Sequence, residues 1–391
     1  MRDAFLIGAG QTDFGSFPEK SYRSLFTASV EAALESTAGL TRDAIDEAVI
    51  GTLGVGGRQI GLSGPAVTEH AGLDGIPTTR VENACAASGY AIRSAVQAVK
   101  SGMADVVLAG GFEVMTDTSG DVTRYWLGVS GETEWERMAG TTFAGVYAQL
   151  ASAHMTNYGT TEEQLGAVAV KNHEHGSRNP KAQLGFTCSM DDVRDAPTVA
   201  DPLNLYHCCP TTDGAAAVIV AAPEIAAEFA EEPIKIAGVG AASDGVGLFQ
   251  RDTYTSLPAS KAAADRAFEA AEITPDDLDF AEVHDCFSIA EIIAYEDLGL
   301  CEPGDGGTLV EQGETRLDGR IPVNTSGGLK SKGHPIGATG AGQAVEAFQQ
   351  LTGRAGDRQV PDARIGLTHN VGGSGGAAVV NIFERMDEVD A

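Results

Sequence analysis

GAGQTDFG (residues 8–15) and GVGAASDG (residues 238–245) carry glycines at the same three places, and each follows a short apolar run, AFLI (4–7) and IKIA (234–237). What comes next keeps the same order in both parts of the chain. DEAVIG (46–51) has a counterpart in LDFAEVH (278–284), each a short strand pattern with acidic residues at its start. VENACAASG (81–89) is echoed by PVNTSGG (322–328), which pairs Asn83 with Asn324 and Cys85 with Ser326. RIGLTHNVGGSGGAAVVNIF (364–383) reads as a strand, a glycine-rich turn and a second strand. In the first half its pieces are DVVLAGGFEV (105–114) and TDGAAAVIV (212–220), separated by a long stretch.

Two copies of one α/β unit explain that order, with a lobe inserted into the first. Residues 1–114 and 205–230 form one half, 115–204 the inserted loop domain and 231–391 the other half. Within the insertion Glu162 to Lys171 reads as helical and SRNPKAQ (177–183) as turns, which suits a lobe lying over a site. Short apolar strands alternate with Ala-rich helices throughout, the pattern of sheets covered by helices. The glycine stretches lack the GxGxxG spacing of a dinucleotide site.

The chain of 391 residues is 43% hydrophobic, enough for two or three domains. No window approaches the roughly 18 apolar residues of a membrane span. The start MRDAFLIGAGQ lacks a basic, signal-like region, so a cytoplasmic protein is expected. Six cysteines, two of them adjacent at 208 and 209, fit a reducing compartment better than a disulfide framework. The formal charge of −29 argues against a nucleic-acid partner, because phosphate backbones require clustered Lys and Arg. Self-repulsion this large is best tolerated where salt screens it, with a Debye length of about 3 Å at 1 M, so a salt-rich, halophile-type cytoplasm is expected, with an ordinary acidic enzyme as the alternative.

Three strand ends carry candidate chemistry. In NACAASGYAIRSAVQAVKSG (83–102), Ile92, Val96 and Val99 line a buried helix that Gly102 stops. Cys85 then sits at the helix N-terminus, where free N–H groups favour a thiolate nucleophile, unless it is a packed core thiol. In NTSGGLKSKGHPIGATGAGQAVEAF (324–348), six glycines after Ser326 surround one imidazole, His334, which suits a general base. Lys330 and Lys332, two of eight lysines, lie beside it and would favour an anionic ligand. In EVHDCFSIAEIIAYEDLG (282–299), Ser288 and Glu291 read as a capping box and Gly299 as the helix stop. Cys286 lies just before that helix at a strand's carboxyl end, where ligands bind in open α/β sheets. On residues alone it reads equally as an acid/base or as a core thiol. HNVGGSGG (369–376) offers backbone N–H groups for an oxyanion hole, or simply a tight hairpin.

Together these residues resemble the thiolase family along nearly the whole chain. NACAASG (83–89) is similar to its nucleophile motif, GGFEVM (110–115) to the strand behind it, GHPIGATG (333–340) to its histidine motif and HNVGGSGG to its final glycine turn. The resemblance implies two similar βαβαβαββ halves in a layered αβαβα arrangement with an inserted loop domain. HDCF (284–287) with HNVGG (369–373), and the stretches NHEHGSRNPKAQ (172–183) and DPLNLYHCCPTTDGAAA (201–217), resemble the sterol-carrier-protein-type and archaeal branch. In that branch the HDCF cysteine is the acid/base. The resemblance therefore implies an acetyl-CoA C-acetyltransferase with Cys85 as nucleophile, His334 as its base, Cys286 as acid/base and His284 at the enolate. It places Gly372, Asn370 and Phe287 at the substrate. No metal or organic cofactor is implied, and His207, Cys208 and Cys209 lack zinc-site spacing. Implied partners are acetyl-CoA and CoA, further copies of the chain in a homodimer or homotetramer, and hydroxymethylglutaryl-CoA synthase with a small OB-fold, zinc-ribbon protein. A decarboxylating ketoacyl synthase and a noncatalytic acyl-CoA-binding subunit are the rival readings.

Overall fold

The computed structural model describes residues 2–57 and 60–387. Strand β1 (Phe5–Gln11) is followed by α1 (Tyr22–Glu35), β2 (Glu47–Gly51), α2 (Ser63–His70), β3 (Thr78–Val81), α3 (Ala87–Ser101) and β4 (Val106–Glu113). The chain then passes through α4 (Gly120–Gly128), α5 (Phe143–Tyr158), α6 (Glu162–Ser177), α7 (Met190–Arg194) and the short pair β5 (Thr198–Ala200) and β6 (Leu203–Asn204). It returns as β7 (Gly214–Ala221), antiparallel to β4, and leads through α8 (Pro223–Phe229). The second pass runs β8 (Ile234–Ser243), α9 (Pro258–Ala271), β9 (Phe280–Glu282), α10 (Ser288–Asp297), α11 (Gly306–Glu311), α12 (Gly328–Ser331), α13 (Thr339–Leu351), β10 (Ile365–Gly372) and β11 (Ala377–Arg385).

The strands lie in the order β3-β2-β4-β7-β1-β8-β11-β10-β9. Outward from the junction of β1 and β8, each half repeats the other. β7 and β11 run antiparallel to the inner strands, β4 and β10 pair antiparallel with them, and β2 and β9 follow in parallel. Beyond β9, Val323 bridges Ala281 in parallel, in the place β3 takes beside β2. Every strand pair read from the internal repeat thus holds equivalent positions.

The repeated glycines have a steric reason. A Cβ on Gly8 would lie 2.6 Å from the Ala33 carbonyl oxygen of α1, and one on Gly10 would press into the Ala33 nitrogen. On β8, Cβ atoms at Gly238 and Gly240 would press into the carbonyl oxygens of Ala267 and Ala263 on α9. Each half therefore seats its first helix directly on strand backbone. Phe26 and Val30 of α1 pack with Ile50 and Ile219 on one outer face, and Ala263 and Ala267 of α9 pack with Ile292 of α10 and Leu367 on the other. Between the half-sheets, Ile92 and Val96 of α3 and Val345 and Phe348 of α13 share a core with Leu6, Ile236 and Phe383. The layers are helix, sheet, helix, sheet, helix.

Local signals fare unevenly. Gly102 ends α3 in the left-handed region, at φ 76°. The helix expected from Glu162 to Lys171 continues to Ser177, starting from a capping box of Thr161 and Gln164. The capping box expected of Ser288 and Glu291 does not form: Phe287 is the N-cap, the Ser288 hydroxyl has no hydrogen-bond partner and Glu291 turns inward to Lys171 at 2.6 Å. A buried ammonium outcompetes a backbone N–H for that carboxylate. Among the described residues no helix is long and apolar enough to cross a membrane.

At the centre, α3 and α13 meet backbone to backbone, and a Cβ on Gly340 would press into the Gly89 nitrogen and the Asn370 side-chain oxygen. Gly340→Ala should therefore lower stability by about 1–3 kcal/mol or prevent folding, measured by denaturant unfolding; a neutral effect would show that the crossing can widen. With 55 acidic side chains against 26 basic ones, most carboxylates have no cation to pair with. Raising KCl from about 0.1 M to about 2 M should raise the thermal midpoint, and a flat response would remove charge density as a limit on stability.

Candidate active site

Cys85 lies in the turn between β3 and α3, after Ala84, which is held at φ 49° with its N–H on the Glu82 carboxylate at 2.6 Å. The Asn370 side-chain amide donates to the Cys85 carbonyl oxygen at 3.0 Å. The thiol does not behave as the helix terminus alone predicts. Burial pushes it up to about 12, the charges of Cys209 and Glu113 push the same way, and the N–H groups of Gly373 and Cys85 itself only partly oppose them. Desolvation outweighs the helix dipole here, so Cys85 rests as a neutral thiol.

His334 leads into α13. Its Nδ1 lies 2.7 Å from the Thr339 hydroxyl, which itself donates to the Pro335 carbonyl oxygen at 3.0 Å. The hydroxyl proton is thus committed, so Nδ1 carries the ring proton and Nε2 is left as a free base. Burial holds the imidazole down to about 3. His284 has the opposite tautomer. Its Nδ1 accepts from the Asn370 amide at 3.3 Å, which leaves the proton on Nε2, a buried atom with no partner. Burial first, then the neighbouring His334 and His369, hold His284 well below its ordinary value. The two rings stand edge to face with centroids 5.1 Å apart.

One ligand atom each from Cys85, His284 and His334 falls within 4.8 Å of the others. A thiolate and two imidazoles could hold a zinc ion, and the same convergence lets sulfur and nitrogen exchange a proton. Cys286 joins them in a cavity of about 650 Å³ that Cys85, His334, Phe287 and Gly373 also line. Its thiol is buried and pushed far up, mainly by burial, with the Tyr147 hydroxyl acting in the opposite direction. The Cys209 N–H fixes its carbonyl oxygen at 3.1 Å. Phe287 stacks on Tyr147 with centroids 4.6 Å apart.

The structure therefore gathers Cys85, His334, Cys286, His284, Asn370 and Phe287 at one centre. The backbone donor that reaches the Cys85 sulfur is Gly373, one residue beyond the expected Gly372, whose own side a Cβ cannot occupy without meeting the Asn83 carbonyl. Lys330 and Lys332 are not anion ligands. Both are buried, Lys330 donating to the His207 carbonyl at 2.7 Å and Lys332 to Gly342 at 3.2 Å, with Glu282 3.6 Å away. Two residues escaped the sequence: Tyr147 looks like any apolar position of α5, and Cys209 like half of a structural pair, yet both line the cavity.

Known proteins match this chain in sequence and fold. Residues 4–224 match the thiolase N-terminal domain and residues 240–385 the thiolase C-terminal domain-like family. The chain belongs to the thiolase family. It is 46% identical to an acetyl-CoA acetyltransferase of Methanothermobacter thermautotrophicus, covering 98% of this chain and 100% of that protein. It is 36% identical to human sterol carrier protein 2, covering 98% of this chain and 72% of that one. The solved Ltp2-ChsH2(DUF35) aldolase superposes with a TM-score of 0.86 at 25% identity over 99% of each chain.

A neutral resting thiol has a kinetic signature. Alkylation of Cys85 by iodoacetamide should keep rising above pH 9 without a plateau near neutrality, because a thiol held near 12 stays protonated there. A plateau below pH 8 would mean that His334 already holds the proton in the free enzyme.

Proposed function

We propose that the chain is an acetyl-CoA C-acetyltransferase, which condenses two acetyl-CoA into acetoacetyl-CoA and CoA and runs the reverse thiolysis. The observation that carries this is the pair of opposite tautomers beside Cys85, a base at His334 Nε2 and a donor at His284 Nε2, on two rings that each bring a nitrogen within 4.8 Å of the Cys85 sulfur. The relatives named acetyl-CoA acetyltransferase at 46% and 42% identity support the choice of substrate.

His334 Nε2 takes the thiol proton as Cys85 Sγ attacks the thioester carbon, and the N–H groups of Cys85 and Gly373 hold the oxyanion, roughly 3–4 kcal/mol for a donor of this kind. The bond to CoA sulfur breaks, and His334 returns that proton to the departing CoA thiolate. Acetyl-Cys85, a neutral imidazole at His334 and the Cys286 thiol remain. Cys286 then passes its proton to His334 Nε2, and the resulting thiolate removes a methyl proton from the second acetyl-CoA, whose enolate oxygen lies between His334 Nε2–H and His284 Nε2–H. The carbanion attacks the acetyl carbon, the C–S bond to Cys85 breaks and His334 returns the proton to sulfur. Atoms and charges balance, and no metal or organic cofactor enters. Buried, hard-to-ionise thiols suit this sequence, because each thiolate forms only by direct transfer to a partner.

Two histidines beside one cysteine would also serve decarboxylative condensation, and Cys286 separates the readings, since loss of CO₂ makes the carbanion without a base. Cys286→Ala should lose CoA-dependent consumption of acetoacetyl-CoA by at least about 100-fold in concentrated KCl while still acetylating Cys85. Equal turnover by the two proteins would move the base elsewhere. Further parts of the proposal are a salt-rich cytoplasm, a homodimer or homotetramer, and docking to hydroxymethylglutaryl-CoA synthase through a small OB-fold, zinc-ribbon protein.

A further inference from the structure

Tyr147 sits in the first half of α5, within FAGVYAQLASAHM (143–155), and is 1% exposed. Phenylalanine would fill the same volume and keep the stack on Phe287. A hydroxyl buried this deeply needs a use for its proton. It donates to the Gly373 carbonyl oxygen at 3.2 Å and lines the same cavity as Cys286, whose chain neighbour Phe287 it stacks on. The residue whose carbonyl it holds is the one whose N–H faces Cys85. That turn is already pinned from the other side, where Arg251 donates to the Ser374 carbonyl at 2.6 Å and to the Gly245 carbonyl at 3.0 Å. The turn thus has a second anchor besides the Tyr147 hydroxyl.

We propose that Tyr147 is a further catalytic residue: its hydroxyl turns from the Gly373 carbonyl to the Cys286 sulfur as that thiol ionises, and stabilises the thiolate that removes the methyl proton. The O–H bond stays intact, so the step adds no acid, base or co-reactant to the balance. This rests on the reading of Cys286 as the acid/base.

The groups facing Cys286 leave few alternatives. Cys85 comes from the turn before α3, Asp285 precedes it in the chain and Cys209 lies beside it, and a charge on any of these opposes a second anion. Lys330 of α12 favours the thiolate, but its ammonium is committed to the His207 carbonyl. Arg251 acts on Tyr147. Among the described groups that act on the sulfur, Tyr147 is the neutral donor, and a neutral donor can serve a thiolate without forcing it to form early.

The test compares wild type, Cys286→Ala, Tyr147→Phe and a protein with 3-fluorotyrosine at 147, all in concentrated KCl. Three quantities are read: acetylation of Cys85 by acetyl-CoA followed by mass, kcat for thiolysis of acetoacetyl-CoA, and the pH dependence of methyl-proton exchange of acetyl-CoA in D₂O. Tyr147→Phe should acetylate Cys85 as wild type does, lose about 10- to 100-fold in kcat, the size of one hydrogen bond to a charged group, and need a higher pH for exchange. Fluorotyrosine, a stronger donor of nearly the same shape, should move the exchange profile to lower pH, and it keeps the test open should the phenylalanine variant fold poorly. Unchanged kcat and an unchanged exchange profile in both proteins overturn the proposal. Acetylation falling in step with kcat overturns it too, because the hydroxyl would then serve only the glycine turn. If wild type neither acetylates Cys85 nor turns over, or if Cys286→Ala exchanges methyl protons normally, the underlying reading of the site fails as well.

Discussion

The crossing of α3 and α13 is the constraint on which the rest of the molecule depends. Each helix begins directly after a loop that carries a reactive group, Cys85 before α3 and His334 before α13. Only backbone contact at Gly89 and Gly340 brings those loops close enough for sulfur and nitrogen to meet. The space the glycines leave is filled by the amide of Asn370, which bonds to the Cys85 carbonyl and to the His284 ring. One planar side chain thus sets the height of the nucleophile and the tautomer of a histidine together. Glu113 works from the opposite side: its buried carboxylate accepts N–H groups of Leu53, Gly54 and Val55 and, at 3.2 Å, that of Gly337 in the histidine motif. Close packing and a few shared acceptors leave the site little freedom to relax.

Charge inside the second half serves the same end. Asp285, though it lies between His284 and Cys286, takes no place at the reacting atoms. It accepts the Leu329 and Lys330 N–H groups at 2.6 and 3.2 Å and the Asn172 amide at 2.7 Å. Glu291 binds Lys171 and the amides of Asn172 and Asn324, while Tyr295 donates to it as well. Two residues of α6, Lys171 and Asn172, therefore plug the excursion between β4 and β7 into the other half. Ion pairs this deep add little net stability, but losing one partner leaves an uncompensated charge, so they enforce one arrangement.

Features set by strand pattern and glycine spacing were legible in the sequence, because each is local in the chain and repeated. The equivalence of β1 with β8 and of β7 with β11 could be read from AFLI with IKIA and from TDGAAAVIV with GGAAVVNIF. Cys85, His334 and Cys286 were visible as reactive types at strand ends. What could not be read depends on depth. Lys330 and Lys332 look like a phosphate clamp until α12 proves to run through the interior. Ser288 and Glu291 look like a cap until Lys171 arrives from a distant helix. The Cys85 thiol follows the same rule: a helix N-terminus is written in the sequence, but the desolvation that outweighs it is a property of the assembled protein. Tyr147 carried no signal, since an aromatic on an apolar helix face is ordinary core.

The internal repeat pairs Cys85 with Ser326, and the structure gives the serine a different fate. Its N–H and hydroxyl both engage the Glu282 carboxylate, at 3.0 and 2.6 Å. The two halves are thus unequal at this position: the first brings Cys85 to the cluster, and His284, Cys286 and His334 all come from the second. Neither half by itself holds all four groups, so likeness between the halves does not make them independent of one another.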